Sequence, residues 1–419
     1  MERLKVISPL GRGAKGVVFL VKEEPNGEFS ALKVILRDLI TKKNEGSDNK
    51  KEIEGGEYKR IYFEQKVLSR LNHPLLPKLR GVLATDKIVA YAIDYCPGRD
   101  LNCLRKQQTE KMFSVDSIRF YAAELVLALE YLHNFGIAYR DLKPENIMIQ
   151  ENGHIMLVDF DLSTKLPPKS HPNSPGPASA LPVRIKRRSP LHRFCSRGVS
   201  PDESPAELGH IHSDSDSDSD STKKSNSFVG TEEYVAPEII QGHGHDFAVD
   251  WWSLGVVLYE MLYGVTPFKG ANRKESFYRI LTKKPDLVGE ATPLRDLIGK
   301  LLIKDPKERI AVEEIKGHDF FKGLDWDLLL QISRPPYLPA IQNWSEEEGK
   351  KGIKEIDVEM FVQGVFGSCC EVEKKASTVN GSDDEETKNA DSHEENINKK
   401  VWVNGLNNHP CEAENFLVF

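Results

Sequence analysis

The sequence predicts an α+β fold in two lobes: a small β-rich lobe carrying one main helix, and a larger, mostly α-helical lobe, with a cleft between them. Three observations predict it. Residues 4–35 and 81–93 read as short runs of β-formers broken by Gly, Pro and Asn. From residue 117 onward, apolar residues recur at helical spacing. Within that second part lies Tyr139-Arg140-Asp141-Leu142-Lys143-Pro144-Glu145-Asn146, followed by Asp159-Phe160. Each motif adjoins an apolar, strand-like run (Ile147-Met148-Ile149 and Ile155-Met156-Leu157-Val158), which a polar surface loop would not require.

The elements follow in order. Val6 leads into a Gly-rich turn, and Val17-Val18-Phe19-Leu20-Val21 makes the next strand. Pro25-Asn26-Gly27 turns the chain into Ala31-Leu32-Lys33-Val34-Ile35. Residues 41–57 are charged and Gly-containing and read as a surface insertion. A helix then carries Tyr62, Phe63, Val67 and Leu68 and stops near Asn72-His73-Pro74. Strand-like pieces at Gly81–Leu83 and Lys87–Ile93 precede a link at Asp94–Asp100. Ser117 to His133 places Ile118, Tyr121, Leu125, Leu129 and Leu132 on one face, and Asp250 to Leu262 is apolar nearly all round, so it should be fully buried.

The division expected is a small lobe over 1–93, a large lobe over 94–321 and a tail over 322–419. Residues 165–224 interrupt the large lobe with Pro and Ser, a basic cluster, and Ser213-Asp214 repeated through Asp220. That stretch and the acidic residues 372–400 bury too little apolar surface to offset the entropy of ordering. The 419 residues suffice for a large core, and a net charge of −7 argues against nucleic acid as a general partner. The six cysteines have no metal-ligand spacing and read as free thiols, the adjacent Cys369-Cys370 leaving a redox pair open. With no secretory leader, no long apolar run, Glu2 at the myristoylation position and no cysteine in the last four residues, the expected location is intracellular. Cytoplasm, nucleus and the periphery of the plasma membrane all remain open.

Phosphoryl transfer needs a carboxylate beside the incoming hydroxyl, a cation near the moving phosphate, and oxygen ligands for Mg²⁺. Asp141, Lys143, Asn146 and Asp159 supply these parts in order. Gly11-x-Gly13-x-x-Gly16-x-Val18 also matches a dinucleotide fingerprint, but that requires a helix after the glycines, and Val17 to Val21 are β-formers. The loop is therefore expected as a hairpin over phosphates, with Lys33 on the third strand holding the α- and β-phosphates and Glu64 orienting Lys33. Glu238 is expected to pair with Arg309, and Asp250 to tie down the backbone of the catalytic loop.

On these motifs, residues 1–345 resemble AGC-group protein kinases, with their bilobal protein-kinase fold and proximal tail. Tyr139 before Arg-Asp, Gly230-Thr231-x-Glu233-Tyr234 and Arg334-Pro335-Pro336-Tyr337-Leu338-Pro339 fit the group. Asp159-Phe160-Asp161 in place of Asp-Phe-Gly, together with the long insertion, resembles the plant AGC VIII branch. The resemblance implies ATP with two Mg²⁺ ions, the latter held by Asn146 and Asp159. It places ATP against Leu10-Gly11-Arg12-Gly13-Ala14-Lys15-Gly16, Val18, Ala31, Lys33 and Glu64, adenine at the backbone of Asp94 and Cys96 behind Ile93, and ribose at Asp100.

It further implies an activating phosphosite at Ser227, met by Arg140, and selection of basic residues upstream of the target Ser/Thr by Asp100, Glu145 and Glu260. The terminal Phe416-x-x-Phe419 resembles a motif that docks on the small lobe or recruits the phosphoinositide-dependent kinase, a frayed end being the alternative. Asp161 is expected to restrict flipping of Phe160. The basic run at 184–197 fits anionic lipid, a nuclear address or a solvated loop. Protein substrates, a monomer and a role in oxidative-stress signalling complete the expectation. A catalytically silent pseudokinase scaffold is the alternative.

Overall fold

Apolar side chains fall on both alternating faces of residues 16–36, so the sheet they build needs cover on both sides. A computed structural model describes residues 4–13, 15–24, 26–41, 50–166, 229–332, 335–339, 356–366 and 417–418. The chain divides into two units, 1–166 with 224–419, and 167–223, and the second lies outside the described residues. So do Ala14, Ser227, Arg334, Phe416 and Phe419, the basic run, the Ser-Asp repeat, Cys369-Cys370 and the acidic stretch 372–400.

In the small lobe, β1 (Leu4–Arg12), β2 (Gly16–Glu23), β3 (Phe29–Leu36), β4 (Leu79–Ala84) and β5 (Ile88–Asp94) form an antiparallel sheet in the order β1-β2-β3-β5-β4. Between β3 and β4 lie α1 (Arg37–Thr41) and α2 (Lys50–Leu68). Residues 50–57, the second half of the stretch read as a surface insertion, are thus helical. Gly55 and Gly56 each weaken a helix by about 1 kcal/mol, which hides the periodicity. The packed second half of α2, with Ile61, Val67 and Leu68 buried, sustains it.

Register assigns the two faces of this sheet. Val18 pairs with Lys33 and Lys33 with Tyr91, so these three share the face turned toward the cleft. The opposite face presents Val17, Phe19, Val21, Leu32, Val34, Ile88, Ala90 and Ala92, all buried. Its cover comes from the tail, where a helix at 358–366 (α10) buries Val358, Val362, Val365 and Phe366 against it. Phe361 meets Phe19 edge-on at 5.4 Å, and Glu359 accepts a 2.7 Å bond from the Thr85 hydroxyl. At the sheet's edge, β10 (Leu417–Val418) pairs parallel to β1, with Gly11 opposite Leu417.

The large lobe holds α3 (Leu101–Gln107), α4 (Val115–Asn134), the short strands β6 (Ile137–Ala138), β7 (Ile147–Ile149), β8 (Ile155–Leu157) and β9 (Thr164–Lys165), then α5 (Pro237–Gln241), α6 (Ala248–Tyr263), α7 (Arg273–Thr282), α8 (Pro293–Leu301) and α9 (Val312–Lys316). The α4 stripe Ile118, Tyr121, Leu125, Leu129 and Leu132 is completely buried, and α6 is buried on every side from Ala248 to Met261. Hairpin β7–β8 carries Asn146 and Asp159 at its ends. The tail crosses its turn at Gly153, whose φ is +84° and where an added Cβ would stand 2.3 Å from the Tyr337 carbonyl oxygen. No helix among the described residues is long and apolar enough to cross a membrane.

Val362 is fully buried under the sheet. Val362→Asp is expected to release α10 and lower the thermal midpoint by roughly 2–4 °C per kcal/mol of docking lost, with faster amide exchange at Phe19 and Leu32 as the direct measure.

Candidate active site

The cleft is assembled from charges delivered by three separate elements. Lys33, near the middle of β3, points its Nζ to Glu64 of α2, 3.4 Å from each carboxylate oxygen, and to Asp159 Oδ1 at 3.1 Å. Glu64 is buried and also accepts from the Phe160 backbone N–H at 3.3 Å. Burial alone would lower the Lys33 pKa, but Asp159 and Glu64 outweigh it and hold the ammonium charged well above its ordinary range. Burial raises Glu64, with Lys33 opposing, whereas at Asp159 the attraction of Lys33 overcomes burial and the carboxyl is pulled down. Over this cluster, Gly13 N–H closes the β1–β2 turn onto the Gly16 carbonyl at 2.8 Å. Gly16 is required there, because a Cβ would meet the Val34 carbonyl oxygen at 2.1 Å.

The catalytic loop is held from beneath. Asp250 of α6 accepts from the Tyr139 and Arg140 backbone N–H groups at 2.9 and 2.7 Å, and its carboxylate lies 2.8 Å from His133 Nε2. Arg140 and Asp159 sit at φ +69° and +59°, left-handed positions that cost non-glycine residues about 1–3 kcal/mol and persist only where the surroundings impose them. Tyr139 donates its hydroxyl to the Val158 carbonyl and packs edge-on against Phe160, ring centroids 5.4 Å apart. Asp141 is the hub of the loop. It accepts from Thr231 Oγ1 at 2.8 Å, Lys143 Nζ at 3.0 Å and Asn146 Nδ2 at 3.0 Å. Asn146 also donates to the Asp141 carbonyl at 2.8 Å, which leaves its amide oxygen in the acceptor role that a hard cation uses.

Behind the cleft, Cys96 clusters with Met148, Met156 and Val158 in an apolar floor beneath the β5 link. Asp94 accepts from Arg80 Nε at 2.7 Å and from the Lys78 backbone at 2.9 Å, pinning that link in place. Asp100 caps α3, taking the Cys103 N–H at 2.8 Å, so it has a structural use that the sequence reading did not include. Ile93 packs against the main core and Ala31 is buried. In the large lobe, Glu260 accepts from Tyr234 at 2.5 Å and pairs with Arg105 at 3.0 Å, while Glu145 accepts from Asn102 at 2.8 Å. Burial raises the pKa of both Glu145 and Glu260. Arg105 also donates to Asn102 Oδ1 at 2.9 Å, so Asn102 links it to Glu145, whose Oε2 is buried without a hydrogen-bond partner.

Away from the cleft, Arg309 makes a bidentate bond to Glu238 at 2.8 and 3.0 Å and donates to the Ala248 carbonyl at 2.7 Å. Arg140 donates from Nε to the Leu162 carbonyl at 2.7 Å, with His245 Nε2 3.2 Å from its Nη1. Burial draws its guanidinium down to about 10, Asp250 opposing and the positive charge of Arg60 adding to the effect. Ser227, Phe416 and Phe419, and with them the phosphosite and the docking motif, lie outside the described residues. The sequence reading missed Arg105, and it missed Glu124, which is buried in α4 and bonded to His154 and to the Ile155 N–H. Helical periodicity carries no signal for a charged residue on a buried face.

Residues 4–178 and 214–321 match the protein kinase domain family. The chain is a protein kinase. Over its whole length it is 58% identical to the serine/threonine-protein kinase OXI1 of Arabidopsis thaliana, covering 97% of that protein. It is 41% identical to the serine/threonine-protein kinase UCN of Arabidopsis thaliana over 85% of this chain and 89% of that one. With phototropin-2 of Oryza sativa subsp. japonica it shares 39% identity over 80% of this chain and 34% of that protein. It is a serine/threonine kinase of the AGC type with the α+β bilobal fold.

The Glu238–Arg309 pair is almost wholly inaccessible to solvent. Arg309→Ala strands a buried carboxylate in this kinase, and equilibrium unfolding is expected to show a loss of about 3–5 kcal/mol.

Proposed function

We propose that the kinase moves the γ-phosphate of ATP, with Mg²⁺, onto Ser or Thr hydroxyls of protein substrates. The observation that carries this reading is the convergence of Lys33, Glu64 and Asp159 within 3.4 Å, beside an Asp141 that is already hydrogen-bonded to a threonine hydroxyl. Lys33 is the cation for the α- and β-phosphates, and Glu64 keeps it aimed. The target oxygen attacks the γ-phosphorus as the bond to the ADP oxygen breaks, and its proton passes to Asp141. Lys143, 3.1 Å from Thr231 Oγ1, is placed to neutralise the moving phosphoryl group.

Asn146 and Asp159 are the residues that would hold Mg²⁺, which when bound supplies charge neutralisation across the phosphates. One carboxylate and one amide oxygen suit this ion, which completes its shell with water and phosphate oxygens. Among the described residues no group of three or more His, Cys, Asp and Glu forms a protein-only metal cage, and this mechanism requires none.

Phosphorylation at Ser227 is the proposed activating step. Arg140 and, close enough to perturb it, Arg60 are two cations that a phosphate could meet. Basic residues upstream of the acceptor are the proposed specificity, supported by the mutual proximity of Glu145, Glu260 and Asp100, the last two of which disfavour ionisation of Glu145, and by a Glu145 oxygen that has no hydrogen-bond partner. The proposed upstream partner is the phosphoinositide-dependent kinase acting through Phe416-x-x-Phe419, and the setting is intracellular oxidative-stress signalling.

Calorimetry of the full chain with ATP and Mg²⁺ is expected to give one nucleotide site. Asp159→Asn should cut phosphate transfer by about 10²-fold or more, and equal activity of this variant and the parent chain would defeat the reading. On a peptide array, acceptors with upstream Arg should be preferred, with Glu145→Gln reducing that preference; indifference to Arg would remove the specificity proposal.

A further inference from the structure

We propose that Lys15 is the counter-charge of Asp161, and that the pair latches the tip of the glycine-rich loop onto the Asp-Phe-Asp segment so that the phosphates meet a balanced site. Lys15 Nζ lies 3.8 Å from Asp161 Oδ2, both side chains being largely shielded at 25% and 32% exposure. The two residues come from opposite walls of the cleft. Lys15 stands in the short turn closed by Gly13 and Gly16, whose packing on the Val34 carbonyl fixes the loop's base on β3. Asp161 follows Phe160, which is anchored to Glu64 through its N–H and to Tyr139 through its ring. Each partner therefore springs from a constrained base, and their contact closes the loop onto the floor.

Charge explains why a latch is needed here. A glycine at position 161 would bring no charge, whereas Asp161 adds a carboxylate to a cleft that already holds Glu64, Asp159 and Asp141. Lys33 is engaged by Glu64 and Asp159, and Lys143 by Asp141. The field of Asp161 reaches Glu64, where it disfavours the ionised form. A triphosphate entering this cleft brings several more negative charges, and an uncompensated carboxylate on the floor would repel it. Lys15 cancels that charge at its source. It is a positioning residue, since it acts on the nucleotide through the charge of Asp161, while the closure of the loop is read separately by amide exchange.

This inference rests on the use of ATP proposed above and deepens it. The test is a double-mutant cycle in the full chain with Lys15→Met and Asp161→Asn, which remove charge while keeping side-chain length or size. Lys15→Met is expected to weaken MgATP binding and raise KM for ATP about fivefold, the upper range for a partly exposed ion pair, with kcat changed less than about twofold. Asp161→Asn together with Lys15→Met should return both to within about twofold of the parent, and the Lys15 effect should fade at high ionic strength. In the nucleotide-free protein, either single variant should speed amide exchange at residues 11–16, a readout that needs no ATP. Additive effects, or a double variant weaker than Lys15→Met, would overturn the latch, as would unchanged exchange in both single variants. A parent chain that fails to bind MgATP but shows the exchange response would overturn the proposed use of ATP and leave the latch standing.

Discussion

Three segments far apart in the chain are obliged to meet at one ammonium group. Lys33 on β3, Glu64 on α2 and Asp159 after β8 satisfy one another at 3.1–3.4 Å, and each would be costly to bury alone. Because Glu64 also takes the Phe160 N–H, the position of α2 is tied to the Asp-Phe-Asp segment, and Phe160 in turn is braced by Tyr139. The catalytic loop adds its own tether at Asp250, which holds Arg140 in a left-handed conformation that an unsupported chain would leave. The placement of the small sheet, the main helix and the catalytic loop is thus one electrostatic problem with one joint solution.

Much of this was legible in residue order. Motifs in which backbone geometry and chemistry coincide, such as Gly11-x-Gly13-x-x-Gly16 and Tyr139 to Asn146, name their residues directly, and the structure brings Lys33, Glu64, Asp141, Asn146 and Asp159 to one cleft. The α4 stripe and the uniformly apolar α6 were equally readable, because burial imposes periodicity. The start of α2 was not, since Gly55-Gly56 argues locally against a helix that tertiary packing sustains. Nor could sequence reveal that Arg105 would pair with Glu260, or that Glu124 would reach His154 across the lobe. Those contacts join residues far apart in the chain, and no local spacing encodes them. The tail helix escaped notice for a related reason: it is short, flanked by polar sequence, and acquires its role only from the sheet it covers.

The order in which these parts leave the ribosome has a consequence. The strands that carry Phe19, Leu32 and Val34 are complete within the first 36 residues, but their outer cover lies at 358–366. At about 5–20 residues per second, a nascent small lobe waits roughly 20–60 s with that apolar face bare. Holding by chaperones during this interval, and avoidance of pairing between neighbouring nascent chains, are thus demands that biosynthesis places on this sequence and that the finished enzyme no longer shows.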